Sequence, residues 1–270
     1  MVVYSLRGAI GSGKSTFGLT LPGKKFILDL EYGAHRATWR FAPESYTIIK
    51  LPPNLDLLTY TRGGRVYGQL ERWTEIAKEF VKAVQDPQYT TIVFDTLKVA
   101  WTADHMAYLQ ERQEAQIATT VAKMPKLSEE QAASRTDLRE QLMPIEYGTP
   151  NLRISQMFDI TRSLGKDLVL INHERHKYVS TIIDGRITQV PSPDGAMETD
   201  GWSDTDKLSD WVFITKRIGG VAVNGSKPFP VSYVMRIDKS PIGSDLVGVS
   251  LPVDYAILKA LVESKGRKLP

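Results

Sequence analysis

The sequence contains no cysteine among its 270 residues. That absence excludes disulfide bonds, thiolate catalysis, cysteine-ligated zinc sites and iron–sulfur clusters. Long hydrophobic runs are missing too, because no apolar stretch approaches the ~18 residues that span a bilayer. The first residues, MVVYSLRGAIGSGKS, lack the continuous apolar core of a signal peptide. We therefore expect a cytoplasmic chain with no membrane among its partners.

A strong charge of one sign is also absent. The 34 Lys and Arg residues offset 31 Asp and Glu residues and leave a net charge of +3. This weakly basic balance permits nucleic-acid binding but does not demand it, because a local patch matters more than the sum. With 42% hydrophobic and 24% charged residues, the composition is that of a globular chain and not of a disordered tail or a coiled coil.

Apolar runs alternate with helical patterns along the chain. Runs typical of buried strands occupy residues 2–6, 25–30, 90–94, 167–171, 211–215 and 232–237. Helical spacing occupies residues 16–21, 71–84, 97–141 with a break near Pro125, 151–164 and 255–265. The dipeptide Asp184-Gly185 predicts a hairpin between residues 178–183 and 186–190.

This alternation predicts an α/β fold with a mainly parallel central sheet and helices on both faces. The hairpins fall in the last third of the chain. We expect residues 1–270 to form a single domain, with a hairpin and acidic-loop insertion at about 174–210 and a C-terminal helix at about 254–266.

The clearest motif is GAIGSGKS, residues 8–15, which fits G-x-x-x-x-G-K-[ST] at every position. It follows a predicted strand and precedes a predicted helix, which is the context of a phosphate-binding P-loop and not of an ordinary glycine turn. Lys14 would then contact the β- and γ-phosphates, and the Ser15 hydroxyl would ligate Mg²⁺. The predicted nucleotide-binding residues are Gly8, Gly11, Ser12, Gly13, Lys14, Ser15 and Thr16.

Two carboxylates follow predicted strands. Asp95 ends the run TIVFD and would hold Mg²⁺ together with Ser15, although an N-cap role for Asp95 is the alternative. Thr96 and not Glu follows Asp95, so a general base must come from elsewhere. Glu31 follows the run FILDL, which we expect beside the P-loop strand, and it would orient and deprotonate water there. The alternative is an exposed turn acid.

These motifs together resemble the RecA-type ATPases. FILDLE followed by Tyr32-Gly33 looks like their catalytic-Glu segment, TIVFDTL resembles their metal-binding strand, and LINH at 170–173 resembles the strand whose last polar residue senses the γ-phosphate. The finer pattern GSGKSTF…LPGKKFILDLEYG…TIVFDT…EYGTPN…LVLINHE looks like phage-encoded, minimal RecA-like ATPases, including Sak-type single-strand annealing proteins. The resemblance spans roughly residues 2–240, and His173 stands where bacterial RecA has Gln.

The resemblance implies a RecA-like P-loop core that binds ATP and Mg²⁺, hydrolyses ATP on stimulation by DNA, and acts in phage recombination, annealing or replication in the host cytoplasm. The implied partners are single-stranded DNA, further copies of the chain in a ring or filament, and a single-strand-binding protein. The implied catalytic residues are Lys14, Glu31, Asp95, His173 and, reaching into a neighbouring subunit's site, Arg236 or Lys239. For the last two, the alternative is a surface strand end with ordinary solvated charges.

The loop after the sensor residue contacts DNA in RecA-type proteins. The implied DNA-binding residues are accordingly Arg175, Lys177, Tyr178 and Arg186, with a solvated edge hairpin as the equal alternative. The region 101–150 is a second candidate for DNA, but its cations are mixed with many acids, which favours an exposed helix surface. These cations are Arg112, Lys123, Lys126, Arg135 and Arg139. The acidic stretch 194–210 would repel DNA, and we expect it either to face a neighbouring subunit or to be mobile.

Other function classes stay open on the sequence alone. A helicase or packaging motor would use the same P-loop chemistry, as would a nucleotide-gated scaffold that hydrolyses little ATP. A small-molecule kinase also has a P-loop, but such kinases usually carry an Arg-rich lid, and the sequence has no such Arg cluster.

Overall fold

The computed structural model describes residues 1–51, 64–183, 186–219 and 231–269, so the predicted Asp184-Gly185 turn lies outside the described residues. The described strands are β1 (Val3–Gly8), β2 (Lys24–Asp29), β3 (Tyr46–Lys50), β4 (Tyr89–Asp95), β5 (Asp167–Asn172), β6 (Glu174–His176), β7 (Tyr178–Ile183), β8 (Arg186–Pro191), β9 (Met197–Thr199), β10 (Trp211–Ile218), β11 (Ser232–Lys239) and β12 (Ser250–Pro252). The described α-helices are α1 (Lys14–Thr20), α2 (His35–Thr38), α3 (Gln69–Gln85), α4 (Leu97–Lys123), α5 (Glu129–Arg135), α6 (Gly148–Ser163), α7 (Thr205–Leu208) and α8 (Tyr255–Ser264).

Eight of these strands form one sheet, in the order β12-β11-β10-β1-β5-β4-β2-β3. The strands from β10 to β3 are parallel to their neighbours, and β11 and β12 extend the sheet by antiparallel pairing. Parallel neighbours need long crossover connections, and helices α4 and α6 lie in the connection from β4 to its parallel neighbour β5. The predicted α/β fold class, a mainly parallel central sheet with helices on both faces and antiparallel strands toward the C-terminus, is confirmed.

Both faces of the sheet are covered, as predicted. Alternate residues of β4 point to opposite faces, so that Phe94 joins one apolar core and Val93 the other. Trp73 of α3 and Phe158 of α6 pack on the first face. Phe17 of α1 packs on the second, where α8 also lies. The P-loop helix is therefore held against the sheet by buried apolar contacts.

The stretch after β5 forms two small sheets of its own. β6 pairs with β9, and β7 pairs with β8 in the predicted hairpin. The expectation that residues 194–210 face a neighbour or are mobile is wrong for the second half of that stretch. Trp202 is only 3% exposed in the core, and Asp206 accepts hydrogen bonds from Ser5 and Arg7. Asp200 pairs with Lys98, as Asp206 does with Arg7, so these acids are neutralised by cations of the same chain.

No helix in the described ranges has the length and the hydropathy needed to cross a bilayer.

Candidate nucleotide-binding site

The P-loop joins β1 to α1 at the carboxyl end of the parallel strands. Gly11 and Gly13 have φ angles of +75° and +92°, which favour glycine at both positions. A Cβ at Gly13 would lie 3.0 Å from the Cβ of Tyr233, so β11 packs directly on the loop. The Ser12 hydroxyl lies 2.6 Å from the Thr215 hydroxyl, which ties the loop to β10 as well. The loop is therefore held in shape from the side of the sheet that carries β10 and β11.

A cleft of about 350 Å³ opens over this loop. Its lining residues are Ile10, Gly11, Ser12, Gly13, Lys14, Ser15, Thr16, Glu31, Gly33, Arg36, Ala37, Asp95, His173 and Tyr233. The cleft thus brings together the predicted P-loop, base, metal-ligand and sensor residues, which are far apart in the sequence. A larger surface depression lies along α3, but none of the predicted site residues line it.

Lys14 is 6% exposed, and its ammonium is held by the loop's own carbonyls. Its Nζ donates to the Gly8 oxygen at 2.7 Å and to the Ala9 oxygen at 2.8 Å. Burial lowers the pKa of Lys14, and the nearby Asp95 and Glu31 carboxylates oppose that shift. An incoming phosphate would replace these two carbonyls as the partner of the ammonium.

Ser15 and Asp95 form a pair of oxygen ligands. The Ser15 hydroxyl donates to Asp95 Oδ2 at 2.7 Å. Burial raises the pKa of Asp95 to about 6, and the hydrogen bond from Ser15 opposes the rise. Thr96, and not Asp95, stands at the N-cap of α4, so the capping alternative for Asp95 does not apply. Two oxygen donors beside a phosphate cleft fit Mg²⁺, which prefers oxygen ligands and keeps phosphate among them.

Glu31 reaches the cleft from farther away in the sheet than the sequence predicts. The expectation that its strand lies beside the P-loop strand is wrong, because β4 and β5 separate β2 from β1. The backbone brings Glu31 back toward the site. The amides of Leu30 and Glu31 donate to the Asp95 carbonyl at 2.6 and 3.3 Å, which joins the end of β2 to the end of β4.

The Glu31 carboxylate has a partner on each oxygen. Oε2 lies 2.8 Å from His173 Nε2, and Oε1 accepts from the Thr96 hydroxyl at 2.9 Å. The hydrogen bond with His173 lowers the pKa of Glu31; burial opposes it, and Thr96 lowers the pKa further. Glu31 is therefore ionised at neutral pH and is not the freely solvated turn acid of the alternative interpretation.

Three residues of the site escaped the sequence analysis. In the sequence, Thr96 is notable only because it stands where a Glu is common. In the structure, its hydroxyl donates to the Glu31 carboxylate and positions it. Arg36 lines the cleft from α2, a helix too short to show a periodic pattern. Tyr233 reaches the P-loop through the pairing of β11 with β10, which no local motif announces.

The two cations predicted to act on a neighbour's site have different surroundings. Lys239 donates to the carbonyl oxygens of Asp206, Lys207 and Ser209 at 3.1, 2.9 and 2.6 Å, at the end of α7. The Arg236 side chain is 50% exposed, and its ion pair is with Asp238 on its own strand, at 3.4 Å. Neither residue lines the cleft of its own chain.

The predicted DNA-binding residues are spread along the small sheets and do not form one cluster. Arg175 on β6 pairs with Glu198 on β9 at 2.9 Å. Lys177 lies between β6 and β7 and is exposed. Tyr178 and Arg186 stand at opposite ends of the β7–β8 hairpin, because Tyr178 pairs with Pro191 and Ile183 with Arg186. In the alternative region, Arg112 and Arg139 both pair with Glu146.

Similarity to known proteins identifies the family of the chain. Residues 2–196 match a protein family described as an AAA domain. No curated protein matches the sequence. Among solved structures, the chain is similar to a KaiC-like protein from the hyperthermophilic archaeon Pyrococcus horikoshii OT3, at 10% identity and a TM-score of 0.43, over 93% of this chain and 84% of that chain. A likeness at that level adds nothing to what the sheet order already shows.

Proposed function

The chain belongs to the AAA domain family, and we propose that it is a Mg²⁺-dependent ATPase that acts on single-stranded DNA as an oligomer. The observation that carries this proposal is the meeting of P-loop, Glu31, Asp95 and His173 in one cleft. A P-loop by itself binds phosphate, whereas a positioned base and a sensor are what hydrolysis adds to binding. The setting we propose is phage recombination, annealing or replication.

Binding would use the P-loop and its two oxygen ligands. Lys14 would exchange the Gly8 and Ala9 carbonyls for the β- and γ-phosphates, and the loop amides would surround the same oxygens. Ser15 and Asp95 would hold Mg²⁺, which would neutralise charge between the β- and γ-phosphates when bound.

Turnover would use Glu31. As an ionised carboxylate, it would orient the attacking water and accept its proton. His173 now holds one oxygen of Glu31, so a contact between His173 and the terminal phosphate would compete with that bond. The sensor and the base are therefore coupled by a single hydrogen bond of 2.8 Å.

The DNA part of the proposal is supported by where the small sheets begin. β6 begins at Glu174, directly after His173, so the small sheets are continuous in the chain with the sensor residue. The exposed Lys177 and Arg186 would contact the phosphates of a single strand, with Tyr178 as a stacking platform for a base. A single-strand-binding protein would be a further partner in such a process.

The oligomeric part is supported by the cation at the C-terminal strands. Arg236 is exposed and weakly paired, which suits a role in the next subunit's site, like that of an arginine finger. Lys239 is the alternative, but its ammonium would first have to leave three carbonyls of its own chain.

The test is ATP hydrolysis with and without single-stranded DNA, for the parent and for Glu31→Gln. We expect the parent to hydrolyse ATP faster with DNA. Glu31→Gln should keep nucleotide binding and lose turnover, because an amide cannot accept the proton of water. Glu44→Gln, which removes an exposed acid outside the cleft, is the matched control. If Glu31→Gln hydrolyses ATP at the parent's rate, Glu31 is not the base. If the parent's hydrolysis rate is the same with and without single-stranded DNA, the DNA role is excluded.

A further inference from the structure

We propose that Arg36 binds the phosphates of the nucleotide from within the same chain, an inference that rests on the proposed ATP-binding function. Arg36 lines the cleft beside Gly33 and Ala37, and its side chain is exposed. It forms no ion pair and no side-chain hydrogen bond with any residue that the structure describes. A guanidinium carries five donors, and those of Arg36 are therefore available to an incoming anion.

The carboxylates around the cleft do not take this charge, because each already has a partner. Both oxygens of Glu31 are held by His173 and Thr96. Both oxygens of Asp29 accept backbone amides, from Gly33 at 2.9 Å and from Ala34 at 3.2 Å. Asp95 accepts from Ser15. An arginine left unpaired beside three partnered carboxylates is arranged for a ligand and not for an internal salt bridge.

The backbone that carries Arg36 is fixed in place. The two amides bonded by Asp29 lie at the start of α2, so this buried carboxylate anchors the helix to the end of β2. Ala34 is 1% exposed, and Ala37 packs against the apolar core that also holds α1. Because this backbone is anchored, a contact with an anion would order only the Arg36 side chain, which keeps its entropic cost low.

The charge balance of the cleft gives Arg36 a task. Among the described residues that line the cleft, the Lys and Arg cations are Lys14 and Arg36, and the carboxylates are Glu31 and Asp95. A triphosphate adds several negative charges to that set. Arg36 would offset part of them in a single subunit, before any neighbour is present. Arg36 would thus serve binding within one chain, and the proposed Arg236 contact would serve turnover in the assembly.

The experiment measures the binding of a non-hydrolysable ATP analogue to the full chain, diluted until it sediments as a monomer. Inorganic tripolyphosphate is the second probe, used as a competitor without base or ribose. The variants are Arg36→Ala and Arg36→Lys. The matched control is Arg40→Ala, four residues along, whose guanidinium stacks on Trp39 at 4.4 Å and does not line the cleft.

We expect Arg36→Ala to lower the affinity for the analogue and for tripolyphosphate by the same factor, roughly ten- to a hundredfold. Arg36→Lys should retain part of the affinity. Arg40→Ala should bind as the parent does. A loss confined to the analogue, with tripolyphosphate unaffected, would place Arg36 on the base or ribose and overturn the inference. Equal affinities for Arg36→Ala and Arg40→Ala would overturn it while leaving the proposed function intact. A parent chain that binds neither probe would overturn both.

Discussion

The nucleotide cleft and the segment of small sheets that follows it, residues 174–199, treat their charges in opposite ways. In the cleft, Lys14, Glu31 and Asp95 all have partners within the chain; Lys14 and Asp95 are buried, and the Glu31 side chain is 33% exposed. In the small sheets, the cations are exposed, and Arg175 is paired on the surface with Glu198. The first region is built by the ends of buried parallel strands, and the second by two two-stranded sheets that are separate from the large one.

This difference teaches which kind of ligand each region suits. Buried, hydrogen-bonded groups give a site of fixed geometry, where one displaced atom changes the chemistry. Exposed cations on an isolated hairpin suit a long polyanion, whose binding depends on charge and on salt more than on exact placement.

His173 joins the two regions. Its side chain holds Glu31 in the cleft, and its carbonyl oxygen accepts from the Asp200 amide at 2.9 Å, just after β9. A ligand that shifts the small sheets would therefore pull on the residue that positions the base.

The largest effect should come from the cleft, through Lys14→Ala. The phosphates then lose their buried cation, and we expect nucleotide affinity to fall by roughly a hundredfold or more, measured by calorimetry. Lys24→Ala, which removes a half-buried cation that is bonded to Gln88 and does not line the cleft, is the control. Retained affinity in a folded Lys14→Ala variant would mean that the cleft does not bind phosphate through this residue.

The next effect concerns Arg236, the exposed cation of β11. The Lys14→Ala subunit keeps Arg236, and the Arg236→Ala subunit keeps the P-loop. In a mixed assembly, Arg236 of the first can therefore complete the nucleotide site of the second, and hydrolysis that neither variant shows alone should return. The regained activity should grow more than linearly with protein concentration, because it needs assembly. Hydrolysis rates of the mixture, with sedimentation to show co-assembly, provide the measurement.

Lys239→Ala separates the two candidate cations. Since Lys239 bonds three carbonyls at the end of α7, we expect this variant to lose thermal stability and to hydrolyse ATP while folded. If only Lys239→Ala complements Lys14→Ala, Lys239 is the trans cation. If no mixture of co-assembled variants is active, the trans contact does not exist.

A smaller effect is expected in the small sheets. Replacing Arg175, Lys177 and Arg186 by Ala should reduce the salt dependence of single-strand binding, by about 0.7 in the log–log slope for each lost phosphate contact. Arg175 should contribute least, because Glu198 already pairs with it. The slope is measured by fluorescence titration across salt concentrations.

The matched control for that series removes Lys123, Lys126 and Arg135, three cations of the alternative region. We expect an unchanged slope for this control. A slope that falls in the control and not in the first variant would move the DNA site to residues 101–150.

The sequence predicted the parts of the site that are contiguous in the chain. The P-loop is one uninterrupted motif, and Asp95 ends a run that can only be a buried strand. The neighbours of each strand were not predictable in this way, because crossovers and not local patterns put β4 and β5 between Glu31 and the P-loop. β6, β9 and α2 were missed for another reason: with three or four residues each, they are too short to show a period.

The smallest effect should come from His173, the residue that joins the cleft to the small sheets. The hydrogen bond from His173 lowers the pKa of Glu31, so His173→Ala should raise that pKa toward its ordinary value. Hydrolysis needs the ionised carboxylate, so the acid limb of the pH–rate profile should move to higher pH in the variant. His173→Gln, which keeps a hydrogen-bond donor at this position, should move it less. Since the same residue contacts the small sheets, single-stranded DNA should shift the acid limb in the parent and have less influence in His173→Ala. If the two profiles coincide, with and without DNA, His173 neither tunes the base nor connects it to the small sheets.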